Sequence, residues 1–426
     1  MSSSRARIAV AASTALIGVG AFTGCGAQTS TRSVASPDRD DSESWVVGIG
    51  DSYMSGEGGR WATNTSAMTS NQGYQIGTAK QVYGDTAADS TSIYRGCHRA
   101  ASAPMAFSDP GWHSQNLACS GAQTFTVASA PETTYFKPGV DFEKVQTADG
   151  RIGTGQAAQL QEFATTHNVK AITLSIGGNN AGFADVTSSC VADYLIYTYC
   201  SDQKAQQDRV TPAAKATLVD QLDKALENVH TAMSNAGYST SDYRVVYQLP
   251  PEPVASGDDM QWKETYARAS SGGCGFYNHD IAWLKSTFLS MLTDSMQQAA
   301  QAVSTRDGMQ ILLVDNKNLF ATHLLCQKGT SRMEGQGTPG QTPPGSTRDT
   351  SEWIRAISIA DVIYREDQDA KTEAMHPMYW GQRALAQCNQ AAANAPTDKT
   401  LSKYSCTLAG TYDETGQPQI ILKPAG

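Results

Sequence analysis

WVVGIGDSY, residues 45–53, decides the fold: the apolar and small residues Trp45–Gly50 run directly into the turn at Asp51-Ser52-Tyr53. A short apolar run that stops at a turn is typical of a strand buried in a parallel sheet. In an open parallel sheet, ligands bind at the carboxyl ends of the strands. Ser52 is therefore predicted to lie at the ligand-binding edge, although a serine after a strand often serves only as a helix N-cap.

Three further apolar runs are predicted as strands: Val169–Ile176, Tyr243–Leu249 and Met309–Val314. Segments with apolar residues at three- and four-residue spacing are predicted as helices: Gly155–His167, Pro212–Ala236, Ile281–Val303 and Trp380–Ala393. This alternation predicts the α/β class, as a three-layer α/β/α sandwich around a parallel sheet of about five strands.

The composition is that of a soluble globular protein, with 426 residues, 40% hydrophobic residues and a net charge of -9. An acidic chain without clusters of Lys and Arg is a poor binder of nucleic acid, because phosphate contacts need concentrated positive charge. We therefore expect no nucleic-acid partner, and we expect a monomer.

Residues 1–25 have the pattern of an export signal. Arg5 and Arg7 precede the apolar stretch Ile8–Phe22, which is too short for a membrane span. The stretch FTGC at residues 22–25 resembles the lipobox of bacterial lipoproteins, in which the cysteine is lipidated, although Phe22 replaces the usual aliphatic residue. An ordinary secretory leader is the alternative. Both interpretations predict an extracellular or cell-envelope protein, whose only membrane contact would be a lipid on Cys25.

The cysteine count agrees with export. Of nine cysteines, Cys25 is set aside as the lipid site, which leaves an even number and no C-x-x-C pair. Disulfides outside the cytosol therefore explain them better than a zinc site does. Sequence alone leaves many pairings open. Nearest-neighbour pairing gives Cys97–Cys119, Cys190–Cys200, Cys274–Cys326 and Cys388–Cys406.

The remaining chain is predicted to form one domain, residues 44–395, between a tether and a tail. Residues 26–43 are rich in Ser, Thr, Asp and Arg and are predicted to be a flexible tether. Residues 329–350 are rich in Gly and Pro and are predicted to be a solvated surface insertion, with a flap over the site as the alternative. In the tail, residues 396–426, Pro418–Leu422 is predicted as an edge strand held by the Cys388–Cys406 disulfide.

Four short segments carry the predicted chemistry. They are Gly50–Gly58 (GDSYMSGEG), Leu117–Ala122 (LACSGA), Ser175–Asn180 (SIGGNN) and Met375–Pro377 (MHP). Together they resemble the sequence blocks of the SGNH (GDSL-like) hydrolase family, in the family's order. Residues 272–277 and 323–326 give the chain a particular similarity to the secreted actinobacterial lipases and esterases of that family. The absence of a G-x-S-x-G elbow around Ser52 argues against an ordinary α/β-hydrolase.

This resemblance implies a flavodoxin-like strand order and a serine hydrolase acting on carboxylic esters. Ser52 would be the nucleophile, and His376 would be the base that takes its proton. The oxyanion would be bound by the backbone N–H groups of Ser52 and Gly121 and by the side-chain amide of Asn179. Neither a metal nor an organic cofactor is expected, and the expected partner is the ester: a lipid, a short-chain acyl ester or an acylated glycan.

The third member of the triad is left open by the sequence. The family usually has an Asp three residues before the His, and here that residue is Glu373, which is predicted to orient His376. The alternatives are a backbone carbonyl near this position or a glutamate without a role. Two other functions also remain open: an inactive cell-envelope binding lipoprotein on a hydrolase scaffold, and an acyltransferase that acts on a glycan.

Overall fold

The computed structural model describes residues 39–65, 73–83, 93–127, 136–147, 150–357, 359, 368–396 and 399–425. The predicted leader, the lipobox at Cys25 and most of the predicted tether lie outside these residues. Within the described part of the chain, no helix combines the length and the apolar character needed to cross a membrane.

The centre of the fold is a sheet of seven described strands in the order β7-β6-β5-β4-β3-β1-β2. They are β1 Asp40–Gly50, β2 Trp112–Asn116, β3 His167–Ser175, β4 Arg244–Gln248, β5 Ile311–Asp315, β6 Leu401–Tyr412 and β7 Pro418–Pro424. All pairs are parallel except β6 with β7, which is antiparallel. The predicted α/β class and the flavodoxin-like order of β1 to β5 are therefore confirmed, while the sheet is wider than predicted.

Helices cover both faces of this sheet. They are α1 Ser52–Ser55, α2 Ala79–Tyr83, α3 Gln156–Thr166, α4 Gly178–Ala181, α5 Phe183–Leu195, α6 Lys204–Arg209, α7 Pro212–Asn235, α8 Tyr266–Ser270, α9 Asn278–Trp283, α10 Leu289–Asp307, α11 Ser346–Asp349, α12 Gln368–Glu373 and α13 Tyr379–Asn394. A π-helical turn, Leu284–Phe288, joins α9 to α10. Helices α3, α7 and α10 pack side by side in one layer, and α13 packs across β4, β5 and β7 in the other. Two short ladders pair Tyr74–Gln75 with Gly335–Gln336 and Lys144–Gln146 with Ile152–Thr154.

Sequence and structure differ mainly at the edges of the sheet. β1 begins at Asp40 rather than Trp45, and Asp40 pairs with His167, so the end of the predicted tether is strand. β2 was not predicted because this edge strand, WHSQN, is mostly polar and partly exposed. β6 was not predicted either, whereas β7 contains the predicted edge strand Pro418–Leu422.

Four disulfides join neighbouring cysteines, as predicted: Cys97–Cys119, Cys190–Cys200, Cys274–Cys326 and Cys388–Cys406. The last of them ties β6 to α13. The 329–350 segment pairs through Gly335–Gln336 with Tyr74–Gln75 and contains α11. It contributes no residue to the cavity described below.

Candidate active site

Ser52 lies at the carboxyl end of β1 because the chain turns sharply there. Gly50 has a φ of +127°, and a Cβ on it would lie 1.9 Å from the carbonyl oxygen of Ser175 on β3, so this turn requires glycine. The Asp51 amide donates to that same oxygen over 2.8 Å. The Asp51 side chain then caps α1 by accepting from the Tyr53 amide at 3.1 Å. Ser52 is thus the first residue of a helix that starts at the ligand-binding edge.

His376 contacts this serine directly. Its Nε2 lies 2.6 Å from Ser52 Oγ, and its Nδ1 lies 3.0 Å from the carbonyl oxygen of Ala374. A carbonyl can only accept, so Nδ1 carries the hydrogen and Nε2 is left to accept the Ser52 hydroxyl proton. Burial lowers the pKa of His376, against the opposing effects of the Glu57 charge and the Ala374 carbonyl. The imidazole is therefore neutral at neutral pH, the form that a general base needs.

The loop that presents His376 contains an unusual backbone conformation. Met375 has a φ of +64°, in the left-handed region that non-glycine residues seldom adopt. Its amide donates to the carbonyl of Arg355 over 2.9 Å, and its carbonyl accepts from the Tyr53 hydroxyl at 2.7 Å. These two hydrogen bonds hold the conformation that lets the Ala374 carbonyl bond back to the His376 ring.

The Glu373 carboxylate makes no hydrogen bond to His376 in this structure. It is fully buried and accepts from three other donors: Arg60 Nε at 2.6 Å, Trp61 Nε1 at 2.7 Å and the Tyr83 hydroxyl at 2.6 Å. The contact on His376 Nδ1 is made by the next residue's backbone instead. Of the alternatives that the sequence left open, the backbone carbonyl is the one that the geometry favours.

Gly121 and Asn179 lie in the turns that follow β2 and β3. The turn after β2 is fixed to β1 by the Cys119 amide, which donates to the Gly50 carbonyl over 3.0 Å, and Gly121 has a φ of +77°. Asn179, in α4, donates one hydrogen of its amide to the carbonyl of Ala122 at 2.8 Å. The second hydrogen of that amide remains available to a ligand. The neighbouring Asn180 hydrogen-bonds with Thr124 and donates to Gln221.

Ser52, Gly121, Asn179 and His376 line one cavity of about 290 Å³. The sequence motifs thus converge at one end of a single pocket, although their segments are far apart in the chain. The rest of the cavity wall is largely apolar and includes Ile176, Phe183, Pro250, Leu289, Leu292 and Met296. The arrangement places a hydroxyl that is hydrogen-bonded to an imidazole in the same cavity as an apolar wall.

Two further histidines outside the cavity wall have structural contacts. The His323 ring stacks on Trp353, with centroids 4.0 Å apart, and its Nδ1 donates to the Ser351 carbonyl over 2.7 Å. His98 pairs with Glu57, a buried carboxylate that sequence reasoning did not single out. The sequence feature that could have indicated Glu57 is in the motif GDSYMSGEG, where this glutamate is flanked by two glycines a few residues after Ser52.

Sequence comparison finds no family model and no curated protein that matches this chain. Comparison with solved structures finds an extracellular lipase from Streptomyces rimosus at 17% identity and a TM-score of 0.44, covering 82% of this chain and 99% of the lipase. A phospholipase A1 from Streptomyces albidoflavus is similar over the same shares at 17% identity and a TM-score of 0.42. A carbohydrate acetylesterase from Sinorhizobium meliloti gives 11% identity and a TM-score of 0.26, over 70% of this chain and 91% of the enzyme.

Proposed function

We propose that this protein hydrolyses carboxylic esters through an acyl-serine intermediate, with Ser52 as nucleophile and His376 as general base. The 2.6 Å contact between His376 Nε2 and Ser52 Oγ carries the proposal. It joins a hydroxyl to an imidazole whose other nitrogen is fixed as a donor by the Ala374 carbonyl.

The reaction follows from these contacts. Ser52 Oγ attacks the ester carbonyl carbon while its proton passes to His376 Nε2. The tetrahedral intermediate collapses, the bond to the alcohol oxygen breaks, and His376 returns the proton to the leaving alcohol. Water then attacks the acyl-serine, gives a proton to His376, and the carboxylic acid is released as Ser52 regains its proton.

The negative charge of the tetrahedral intermediate needs donors in the same cavity. We assign them as the backbone N–H groups of Ser52 and Gly121 and the free hydrogen of the Asn179 amide. Loss of one such donor typically raises the barrier by about 3 kcal/mol. Because Gly121 has no Cβ, its amide is open to the substrate oxygen.

The acyl group is assigned to the apolar part of the cavity. Leu289, Leu292 and Met296 of α10 line this wall and are at most 7% exposed, so an acyl chain there would leave water. Each buried methylene contributes about 0.8 kcal/mol to binding. Esters with longer acyl chains should therefore be preferred to acetyl esters.

A panel of p-nitrophenyl esters of increasing acyl length, assayed with and without Ser52→Ala, tests both assignments. Activity should increase from the acetyl ester to longer chains and should be absent in Ser52→Ala. Leu292→Trp, which fills the apolar end, should lower activity on long chains more than on acetate. Covalent labelling by a fluorophosphonate without ester turnover would indicate an acyltransferase, and neither labelling nor turnover would indicate an inactive binding scaffold.

We also propose that the protein is exported and held at the cell envelope by a lipid on Cys25. The four disulfides support an oxidising compartment. Wild-type protein should partition into the detergent phase, and Cys25→Ser should be released in soluble form. Equal partitioning of the two proteins would argue against the lipid anchor. An ordinary secretory leader that is cleaved off would then be the remaining explanation.

A further inference from the structure

The carboxylate of Glu57 is buried immediately after the nucleophile helix. The residue is 0% exposed, and each of its two carboxylate oxygens lies 2.8 Å from His98 Nδ1. His98 is itself 3% exposed, and its ring is stacked on Tyr83 with centroids 4.6 Å apart. An ionised carboxylate offers about four acceptor sites, so one imidazole does not use them all.

Two more partners of Glu57 come from the wall of the catalytic cavity. The Thr372 hydroxyl donates to Glu57 Oε1 over 3.3 Å, and the Ser120 side chain lies near enough to the same carboxylate to lower the pKa of Glu57. Ser120 directly precedes Gly121, and Thr372 lies in the last turn of α12, just before the loop that carries His376. One buried carboxylate therefore contacts the segments that carry the oxyanion donor and the base, while its own backbone continues from the segment that carries the nucleophile.

Charge makes this contact strong. Burial alone would raise the pKa of Glu57, but the charge and hydrogen bonds of His98, with smaller effects of His376 and Ser120, lower it to about 2. Burial alone would lower the pKa of His98, but Glu57 raises it to about 9. The two side chains thus form an ion pair at neutral pH. Hydrogen bonds to an ionised acceptor are roughly twice as strong as neutral ones.

We propose that Glu57 is a positioning residue: its carboxylate binds His98, Ser120 and Thr372 together and so fixes the oxyanion turn and the base loop relative to Ser52. This proposal rests on the proposed hydrolase function. The titratable groups around His376 are Tyr53, Glu57 and Glu373, with Asp51 and Lys371 at the cavity wall. Glu57 therefore also supplies negative charge near the imidazolium that forms during the reaction.

Glu57→Gln in the full chain tests the proposal, because it keeps the size of the side chain and removes its charge. We expect kcat to fall about 10- to 100-fold, the scale of a misplaced reacting group, while KM changes less. The acidic limb of the pH profile of kcat/KM should move to lower pH, because a charge that raises the pKa of His376 is lost. Ser120→Ala and Thr372→Val should each cause part of the loss in kcat. When either is combined with Glu57→Gln, the loss in the double variant should be smaller than the two single losses combined.

Glu352→Gln is the matched control. Glu352 is 1% exposed and paired with Arg332 at 3.0 Å, but it lies outside the cavity wall. Its variant should lower the melting temperature and leave the pH limb in place. If Glu57→Gln fails to fold, Ser120→Ala and Thr372→Val decide: wild-type kcat in both would overturn the proposal. The proposal would also be overturned if folded Glu57→Gln keeps the wild-type kcat and the acidic limb of its pH profile does not move. Lack of turnover and of fluorophosphonate labelling in the wild-type protein would instead reject the hydrolase function.

Discussion

Two glutamates lie buried near His376, and they bind different partners. Glu373, three residues before the histidine, accepts from Arg60, Trp61 and Tyr83, and its carboxylate makes no hydrogen bond to the imidazole. Glu57 lies more than three hundred residues earlier in the chain. Its carboxylate accepts a hydrogen bond from Thr372, a residue of the cavity wall. The Glu373 carboxylate thus joins buried donors outside the cavity wall, while the Glu57 carboxylate contacts Thr372 in that wall.

This difference separates two tasks that a triad acid usually combines. Orientation of the imidazole is assigned here to a neutral group, the Ala374 carbonyl, at 3.0 Å from Nδ1. Negative charge comes from carboxylates that do not bond the ring. The geometry of the base and the electrostatic stabilisation of its charged form should therefore respond to different substitutions.

Ser52→Ala should have the largest effect on ester hydrolysis. Its residual rate is the baseline with which the rates of the two glutamate variants are compared. Ester hydrolysis should fall by about 10⁴-fold or more, the usual result of removing a nucleophile. The thermal transition should stay nearly unchanged, since only a hydroxyl at the cavity is lost. Calorimetry and a chromogenic ester assay would check this, and retention of more than a few per cent of the wild-type rate would refute the role of Ser52.

Glu373→Ala should mainly lower stability. The substitution removes the acceptor of three buried donors, one of them a guanidinium, and breaking such a pair costs about 3–5 kcal/mol. Turnover of the folded fraction should fall less than in His376→Ala, because the Ala374 carbonyl still holds the imidazole. Denaturant unfolding and active-site titration would measure both quantities. Equal losses of turnover in the two variants would make Glu373 the triad acid and remove the contrast with Glu57.

Removal of the Cys97–Cys119 disulfide should lower both stability and turnover, because this bridge lies beside the partners of Glu57. Cys97 adjoins His98 and Cys119 adjoins Ser120, so the bridge links two partners of Glu57. A double serine variant should lose about 3 kcal/mol of stability, the typical value for loops of this size, and kcat should fall as well. The matched double serine variant at Cys190–Cys200 should lose stability with kcat retained. Equal kcat in the two folded variants would argue against a role for the bridge in the site.

The pH dependence of stability should show the smallest effect. The pKa of His98 is raised from 6.5 to about 9 in the folded protein, so the stabilisation it gives is complete below pH 6.5 and is lost as pH rises through 9. The pKa of Glu57 is lowered from 4.5 to about 2, so its contribution is complete above pH 4.5 and is lost as pH falls through 2. Between pH 7 and pH 10, the free energy of unfolding should fall by on the order of 1–2 kcal/mol. His98→Gln should remove most of this slope, and an unchanged slope would show that the pair is not the source.

The parts of the molecule that sequence predicts best are those with one dominant physical signal. β3, β4 and β5 are continuous apolar runs because both of their faces are covered, and the turns after β1 and β3 require glycine. β2 has no such signal, since an edge strand with a polar sequence looks like a loop. The four motifs predicted which residues meet in the cavity, because strand ends in a parallel sheet share one edge.

The contacts of charged groups were harder to predict. The choice between Glu373 and the Ala374 carbonyl depends on the left-handed φ of Met375, which no sequence rule indicates for methionine. The role of Glu57 depends on Ser120 and Thr372, which come from distant segments. Local sequence fixes neither, because both are consequences of how the loops pack against one another.

The hydrogen bond between Ser52 and His376 closes a loop of 324 residues. Ser52 and His376 therefore meet only when two segments from opposite ends of the domain have packed together. Under the proposed mechanism, a chain in which these two segments have not yet met should not turn over esters. Recovery of hydrolysis during refolding would thus report the final step of assembly, later than the secondary structure seen by circular dichroism.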